Sequence, residues 1–319
     1  MKFVVTGGAG FIGSHIARRL IELDCGEVFV IDDLSVGKRA NVPPGARFRL
    51  GDIRHGNSFE HVLEAADIVF HNAAFVSIRG SFERIRHDLE VNDLGTLNVL
   101  EACRDRGVGK VVFASSMAVY GAPESCPVSE TSRPVPVSAY GFSKLKGEFY
   151  CEHFGKRSGL KTVILRYFNT YGVGQTPSEY VGVITTFVNQ ALTGRPLTVF
   201  GDGRQTRDFV FVEDVARANI EAGFRDVEGV FNVASGLEVS VDAVADYVLD
   251  EVGAGKKVYV DAPPGEVERM VADIGRAKEL LGLRPETNLK ERISEIAGWW
   301  KSRLDAAPER QAVIARRTV

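Results

Sequence analysis

The chain has 319 residues, 45% of them hydrophobic, and can bury one large core or two smaller ones. Its formal net charge of −3 does not favour a nucleic acid or an anionic membrane as a partner. Four cysteines lie far apart without a C-x-x-C pair, which indicates reduced thiols in a cytoplasmic protein and no metal site. The glycine-broken N-terminus is not typical of a signal peptide, and no apolar run approaches the roughly 18 residues of a membrane span.

The first 170 residues alternate short β-branched runs with helical patterns. Predicted strands lie at 2–7, 27–33, 47–53, 67–74, 110–116 and 161–168, and predicted helices include 12–23, 91–107 and 143–159. This alternation favours a parallel sheet with helices on both faces. The strands are continuous apolar runs, as expected when both faces are covered. The sequence therefore predicts an α/β protein with a doubly wound parallel sheet.

The pattern changes after residue 170. Segment 169–182 is rich in turn formers, 196–216 has two strand-like runs around a G-D-G turn, and 230–235 predicts one more strand. Helical patterns follow in SVDAVADYVLDEVG, GRAKELLG and ISEIAGWWKSRL. We predict a first domain of residues 1–170 plus about 207–236. A smaller α/β domain of about 171–206 and 237–319 is interleaved with it.

The first strand runs into the turn GGAGFIG and then into a helix. Gly7, Gly10 and Gly13 have the G-x-x-G-x-x-G spacing of a dinucleotide-binding turn. Gly7 permits the tight turn, Gly10 lets the backbone approach a pyrophosphate, and Gly13 lets helix and strand pack closely. The N-terminus of the helix then faces the phosphates. A strand before and a helix after make this a Rossmann-type cofactor site.

Acidic residues follow the next two strands. Asp32 and Asp33 lie about 20 residues after the glycine turn, where a carboxylate accepts both ribose hydroxyls and repels a 2′-phosphate. This position favours NAD over NADP, although two basic residues follow shortly after. Asp52 and Ile53, at the end of the third strand, are candidate adenine contacts.

A tyrosine and a lysine stand four residues apart in SAYGFSKLKGE. At helical spacing Tyr140 and Lys144 share one face, and a neighbouring ammonium lowers the pKa of a phenol from about 10. A bare Y-x-x-x-K is more often an ordinary surface pair. Here the strand 110–116 also delivers Ser115 and Ser116 to the sheet edge where ligands bind. The three kinds of group together indicate acid/base chemistry beside a nicotinamide.

These features together resemble a known family. The chain resembles the extended short-chain dehydrogenase/reductase family, specifically its NAD-dependent nucleotide-sugar epimerases and dehydratases. The resemblance covers nearly the whole chain. It is carried by TGGAGFIGSH, DDLS, GDI, HNAA, VNDLGTLNVLEA, SSMAVYG, YGFSK, RYFNTYG, FGDGRQTRDFVFVEDVA and GEVERMVADIGRAKELLG.

The resemblance implies a role for each catalytic group. Tyr140 would be the base, Ser116 would share the hydrogen bond to the sugar O4, and Lys144 would hold the nicotinamide ribose while lowering the pKa of Tyr140. NAD would be the cofactor. The implied NAD contacts are Gly7, Gly10, Phe11, Ile12, Gly13, Asp32, Asp33, Asp52, Ile53, Ala73, Ala74, Asn92, Tyr140, Lys144 and Tyr167.

The residues after Ser116 bear on the reaction. Dehydratases of the family carry an Asp-Glu pair there and decarboxylases a nearby Glu, whereas this chain has Met117 and Ala118, which move no proton. Oxidation at C4 followed by hydride return to the opposite face, a 4-epimerisation, remains. The alternative is another nucleotide-sugar oxidoreductase of the family: a dehydratase, a decarboxylase or an NAD(P)-linked reductase.

The resemblance also implies the substrate side. Asn169, Arg207 and Arg269 would bind the diphosphate, a role that suits the planar arginine fork. Ser116 and Met117 would contact the sugar, and the base would be uracil. Arg79 falls where uronic-acid epimerases carry an arginine, which favours UDP-glucuronate. Met117 stands where those enzymes carry a hydroxyl, which favours the neutral pair UDP-glucose and UDP-galactose. The two alternatives, glucuronate and the neutral pair, are about equally supported, and N-acetylated hexoses come third. A homodimer through the helices near 91–107 and 143–159 is expected.

Overall fold

The computed structural model describes residues 1–76, 80–176, 182–262, 267–285 and 288–305, with only the backbone at residues 80 and 81. The strands are β1 (Lys2–Thr6), β2 (Glu27–Asp32), β3 (Arg47–Leu50), β4 (Ile68–His71), β5 (Lys110–Ser116), β6 (Lys161–Tyr167), β7 (Asn169–Tyr171), β8 (Leu197–Phe200), β9 (Thr206–Arg207), β10 (Phe209–Phe211), β11 (Gly229–Val233), β12 (Val239–Ser240), β13 (Lys257–Val260) and β14 (Arg269–Met270).

The α-helices are α1 (Phe11–Glu22), α2 (Glu60–Leu63), α3 (Gly80–Glu83), α4 (Ile85–Asp88), α5 (Gly95–Asp105), α6 (Ala139–Ser158), α7 (Val183–Leu192), α8 (Val212–Phe224), α9 (Val241–Val252), α10 (Gly275–Leu280) and α11 (Leu289–Asp305). A π-helix, Leu89–Leu94, joins α4 to α5. Nowhere in the described ranges is a helix both long and apolar enough to cross a membrane.

Seven strands form the main sheet in the order β3-β2-β1-β4-β5-β6-β11, and every neighbouring pair is parallel. The strand order reverses between β1 and β4, which is the point where open α/β sheets bind their ligands. The predicted Rossmann-type sheet is confirmed, including the late strand at 230–235, which is β11. The carboxyl ends of β1, β2, β4, β5 and β6 therefore meet at one edge.

The central strands of the sheet are buried on both faces because they are mostly apolar, whereas the edge strand β3 is largely exposed. In β1, Phe3 and Val5 pack into one core with α1, α8 and α10, whereas Val4 packs into the other with α2, α5 and α6. Successive side chains of a strand point to opposite faces, so the continuous apolar run supplies both cores. The rigid sheet then fixes where each strand ends.

The remaining strands form small sheets outside the main one. They are the pair β7 and β10, the pair β8 and β13, and the three-stranded sheet β12-β9-β14. A further core, with residues such as Phe187, Val244 and Trp300, joins α7, α9 and α11 to this part. β11 returns to the main sheet, as the interleaved prediction requires. The domain boundaries given above stay a prediction.

Candidate active site

The glycine turn is sterically required as predicted. Gly7 has φ +69°, and a Cβ there would lie 2.7 Å from the backbone nitrogen of Ala73 in the loop after β4. A Cβ at Gly13 would lie 2.3 Å from the carbonyl oxygen of Gly7, so only glycine lets α1 pack against the turn. Gly10 caps α1 with extended backbone. Phe11 and Ile12 then begin the helix.

This turn forms a cradle of backbone that side chains would fill. The first residues of α1 follow it directly, so their N–H groups, which have no partner within the helix, lie at the turn. Such a cradle fits the pyrophosphate of a dinucleotide. Contact of each predicted residue with the cofactor stays a prediction.

The acids after β2 brace the neighbouring loops. Asp32 is buried, and its two carboxylate oxygens accept the N–H groups of Ala9 at 3.0 Å and Leu34 at 2.9 Å. Burial raises the pKa of Asp32, although these two bonds oppose the shift. Asp33 is more exposed and accepts the N–H and the hydroxyl of Ser35. Asp32 is therefore held rigidly at the predicted ribose position.

The predicted adenine contacts are held by a cation that the sequence analysis did not consider. Arg54 donates to both carboxylate oxygens of Asp52, from Nε to Oδ1 at 3.0 Å and from Nη2 to Oδ2 at 2.6 Å. Ile53 is buried against Gly95, where a Cβ would lie 2.7 Å from its Cδ1. The Asp52 carboxylate thus enters any adenine contact already paired with Arg54.

The predicted catalytic groups come together at the carboxyl end of β5. Ser116 ends this strand, and its side chain is hydrogen-bonded to the Tyr140 hydroxyl. Tyr140 and Lys144 lie in the first turns of α6, which begins at Ala139 because the Ser138 hydroxyl accepts the Gly141 N–H at 3.0 Å. Helical spacing therefore places both side chains on the face that meets β5.

The expectation that Lys144 lowers the pKa of Tyr140 is wrong for this structure. Burial raises the pKa of Tyr140, the Ser116 hydrogen bond opposes the shift, and Asp88 adds to it. The Lys144 ammonium donates to the Ala114 carbonyl at 2.8 Å and lies 5.8 Å from the centroid of the Tyr140 ring. Burial lowers the pKa of Lys144 itself to about 8. Desolvation of the phenol therefore outweighs the nearby ammonium.

The loop after β4 is clamped from two sides. The Ala73 N–H donates to the Thr6 hydroxyl at 3.2 Å. Asn92 accepts the Phe75 N–H and donates to the Phe75 carbonyl, both at 2.8 Å. The side chain of Asn92, predicted to contact NAD, is thus bonded to this loop. Ala74 lies half-buried between the two clamps.

The last predicted cofactor residue, Tyr167, ends β6 and is buried. Its hydroxyl lies 2.9 Å from Oδ1 of Asn219 and 3.3 Å from Oδ1 of Asn72. Burial raises its pKa, so the phenol stays protonated and donates. Its hydroxyl therefore ties α8 to the start of the loop after β4.

Sequence reasoning missed several buried polar residues here. Asp88 is 2% exposed and accepts the Asn92 amide at 2.8 Å. His71 lies between the Thr6 hydroxyl at 2.7 Å and the Thr96 hydroxyl at 3.1 Å. Burial lowers the pKa of His71 to about 3. The i, i+4 spacing of Asp88 and Asn92 could have indicated that these two side chains contact each other.

The two serines at the end of β5 have separate tasks. Ser115 donates to Glu148, which forms a buried ion pair with Arg166 at 2.6 Å, and Arg166 also donates to the Tyr120 hydroxyl at 2.9 Å. Ser116 is the next residue, so its side chain lies on the opposite face of the sheet, where it contacts Tyr140. The sequence contains both hydroxyls, and in the fold it is Ser116 that contacts the predicted base Tyr140.

Two predicted substrate residues lie next to this centre. The amide nitrogen of Asn169 is 3.5 Å from the sulfur of Met117 and donates to the Asp208 carbonyl at 3.0 Å. Met117 follows Ser116 directly, so a sugar held by Ser116 would meet its thioether. Arg79 lies outside the described residues.

The predicted phosphate-binding arginines lie on neighbouring strands, β9 and β14. Arg207 donates to the carbonyls of Thr206 and Val267, both at 2.7 Å. Arg269 is exposed and forms a two-pronged ion pair with Glu238 at 2.6 and 2.7 Å. Arg269 and Glu238 line a surface cavity of about 500 Å³. The phosphate role of both arginines stays a prediction.

A parallel sheet with a glycine cradle at its switch point, and a Ser-Tyr-Lys set whose Tyr140 and Lys144 are buried, defines a dinucleotide-dependent α/β enzyme. The sequence profile of the NAD dependent epimerase/dehydratase family matches residues 3–234. The chain belongs to this family and is an NAD-dependent enzyme.

Individual relatives match along nearly the whole chain. A Methanocaldococcus jannaschii protein with the provisional name UDP-glucose 4-epimerase is 42% identical over 302 residues, 94% of this chain and 98% of its own. A solved UDP-glucose 4-epimerase from Thermus thermophilus, in complex with NAD, is 40% identical with a TM-score of 0.89 and covers 94% of this chain and 99% of its own. The Thermotoga maritima UDP-glucose 4-epimerase with UDP-glucose is 36% identical with a TM-score of 0.92, covering 95% and 100%.

Other relatives carry out different reactions. A UDP-N-acetyl-α-D-glucosaminuronate decarboxylase from Bacillus cytotoxicus is 32% identical over 94% of this chain and 98% of its own. A solved NDP-hexosamine 5,6-dehydratase is 30% identical with a TM-score of 0.88, covering 95% and 98%. Membership of the family therefore leaves the reaction to be argued from the site.

Proposed function

We propose that the chain is a 4-epimerase that interconverts UDP-glucose and UDP-galactose with NAD bound throughout the cycle. The observation that carries this proposal is the contact of the half-buried Ser116 with the buried Tyr140 at the carboxyl end of β5. The names of the relatives reported above support the choice of sugar. The alternative sugar, UDP-glucuronate, rests on Arg79.

The residues of the site can do the proton chemistry of an epimerase. Tyr140 accepts the proton of the sugar O4 and later returns it, while Ser116 shares that hydrogen bond. A bound NAD would supply the hydride chemistry at C4, and its positive charge would favour the phenolate of Tyr140. Because burial raises the pKa of Tyr140 and Asp88 adds to the shift, the phenol keeps its proton until positive charge enters the site. Lys144 is anchored on the Ala114 carbonyl, and we expect it to hold the nicotinamide ribose.

The surroundings of Ser116 favour epimerisation over elimination. An elimination needs a second acid/base pair at the sugar, and the positions after Ser116 hold Met117 and Ala118. The sulfur of Met117 lies against Asn169 and carries no titratable proton. A 4-keto sugar formed here therefore has hydride return as its exit. We expect Asn169, Arg207 and Arg269 to hold the diphosphate, between the proposed domains, while the sugar turns over.

We also propose that the chain forms a homodimer through α5 and α6. Phe149 on α6 is 64% exposed, and a groove of about 510 Å³ between these helices is lined by residues that include Leu97 and Phe149. An exposed apolar side chain beside a groove between two helices suits association with a second copy. Light scattering should give twice the chain mass, and a Phe149→Glu variant should give the mass of one chain.

The function is tested by following product formation by NMR. The purified enzyme is incubated, without added cofactor, with UDP-glucose, UDP-glucuronate, UDP-N-acetylglucosamine or dTDP-glucose. We expect UDP-galactose from UDP-glucose, at a rate above that for the other three, and product formation at least about 100-fold slower with a Tyr140→Phe variant. A 4-keto-6-deoxy product, or a pentose formed by loss of CO₂, would contradict the proposal. Turnover of UDP-glucuronate alone would keep the reaction and change the sugar.

A further inference from the structure

A buried carboxylate with no role in the proposed cycle lies beside the catalytic helix. Asp88 ends the short helix α4 and is 2% exposed. We infer that Asp88 is a positioning residue of this site: its negative charge keeps the buried ammonium of Lys144 protonated and so fixes the pH range of the proton exchange at Tyr140. This inference rests on the proposed function and concerns the same site.

Asp88 is held in place by uncharged groups. Its Oδ2 accepts the Asn92 amide at 2.8 Å, and Asn92 is fixed in turn by its two bonds to Phe75. The hydroxyl of Ser143, the residue before Lys144, shares its proton between the Tyr140 carbonyl, at 2.9 Å, and the Asp88 carboxylate. Hydrogen bonds from neutral donors hold a carboxylate without cancelling its charge. Its field therefore acts on the ionisable groups of α6.

The other acids around Lys144 are already matched or neutral. Glu148, one turn along α6, is in the two-pronged buried ion pair with Arg166. Cys151 is a fully buried thiol whose pKa is raised by that burial, so it stays neutral. From β4, His71 faces Lys144 as a neutral imidazole with a pKa of about 3. None of these groups supplies an uncompensated negative charge near the ammonium.

Asp93, the acid whose charge acts on Asp88, is also matched. Asp93, on the π-helix, forms an ion pair with Lys146 on the outer side of α6. Tyr140, one turn before Lys144 on α6, stays a neutral phenol because burial raises its pKa. Among the described groups that act on Lys144, Asp88 is thus the carboxylate that lacks a cationic hydrogen-bond partner of its own. Removing the charge of a buried ammonium's counter-ion favours the neutral amine.

The sign of the effect is the same for both catalytic groups. Asp88 raises the pKa of Lys144 and the pKa of Tyr140, since a negative charge favours the protonated form of any neighbour. An epimerase that needs phenolate and ammonium together has a bell-shaped pH dependence, with the alkaline limb set by Lys144. Loss of the Asp88 charge should therefore move both limbs to lower pH.

The test compares Asp88→Asn with Asp93→Asn. The amide of Asp88→Asn still accepts from Asn92, so the loop clamp remains while the charge is lost. We expect both limbs of the kcat–pH profile for UDP-glucose to move to lower pH by about one unit. The profile of Asp93→Asn should match the wild type, because the charge removed there was paired with Lys146. Asp88→Glu should restore the wild-type profile, and Asp88→Ser replaces Asp88→Asn if that variant does not fold.

A second readout is independent of activity. The titration of the Lys144 ε-carbon is followed by NMR in protein labelled with [ε-¹³C]lysine and assigned with Lys144→Arg. We expect a midpoint near pH 8 in the wild type and a lower midpoint in Asp88→Asn. Equal midpoints in the two proteins would overturn the inference. A shifted midpoint in an enzyme that turns over none of the UDP-sugars would sustain the role of Asp88 and reject the proposed function.

Discussion

The catalytic centre and the arginine pair of the outer sheet hold their charges in different ways. Lys144 and Asp88 are buried and bonded to backbone or to neutral side chains. Arg269 and Glu238 are in contact with solvent and bonded mainly to each other. The buried groups of the first region are therefore held in one arrangement, whereas Arg269 and Glu238 can exchange partners when a ligand binds.

This difference suits the two proposed roles, proton transfer in the first region and diphosphate binding in the second. Proton transfer needs groups fixed within a narrow geometry and out of water, where their charges act strongly on one another. Diphosphate binding needs cations that reach a ligand from solvent, where ion pairs are weak and screened. Substitutions in the centre should consequently change rates, pH dependence and stability, and those on the outer sheet should change KM by a modest factor.

The largest effect is expected at Tyr140. Tyr140→Phe keeps the buried ring but removes the hydroxyl that exchanges the proton, so kcat should fall by about 10²- to 10⁴-fold. Tyr247→Phe on α9, remote from the centre, is the matched control and should keep wild-type kcat. A kcat for Tyr140→Phe within tenfold of the wild-type value would contradict the proposed role of Tyr140 and with it the difference between the two regions.

Asp208 tests how firmly the two regions are joined. This fully buried carboxylate accepts the N–H and hydroxyl of Ser235 and the N–H groups of Gly236 and Ala272. Asp208→Ala leaves these donors without an acceptor and should lower the free energy of unfolding by about 3 kcal/mol or more in urea titrations. Exposed Asp202→Ala should change it by less than about 0.5 kcal/mol.

His71 gives the centre a pH-dependent stability. Its pKa of about 3 in the folded state is below the value of about 6.5 in an unfolded chain. The unfolded chain therefore takes up a proton first as the pH falls, and stability is lost below pH 6.5. Between pH 7 and pH 5 the wild type should lose about 2 kcal/mol more than His71→Asn in urea titrations. Equal losses would show that His71 is protonated in the folded protein.

The smallest effect is expected on the outer sheet. Glu238→Gln releases Arg269 from its ion pair, so the KM for the UDP-sugar should fall by about threefold at unchanged kcat. Glu268→Gln removes the same charge from the same cavity and should leave KM unchanged. A rise in KM for Glu238→Gln would mean that Glu238 itself contacts the substrate.

The sheet and the glycine turn could be predicted because local physics decides them. The apolar runs of β1 and β5 require burial on both faces, and the close approach of Gly7 to Ala73 and of Gly13 to Gly7 excludes any side chain. The Tyr140 and Lys144 pair was likewise visible, since helical spacing alone puts both on one face of α6.

The electrostatics could not be predicted in the same way. The pKa of Tyr140 depends on how completely β5 and α6 exclude water, which spacing in the sequence does not report. The role of Asp88 depends on a contact with Ser143, far along the chain, and the partner of Arg269 is Glu238, just before β12. Such pairings exist only once the chain has folded.

The central claim is that hydride leaves C4 and returns to the same carbon within one closed site. It is tested most directly with UDP-[4-²H]galactose in ordinary water, without added cofactor, and with mass and NMR analysis of the UDP-glucose formed. Full retention of deuterium at C4 is the result that we predict. Deuterium lost to water, or recovered on free dinucleotide, would contradict the account.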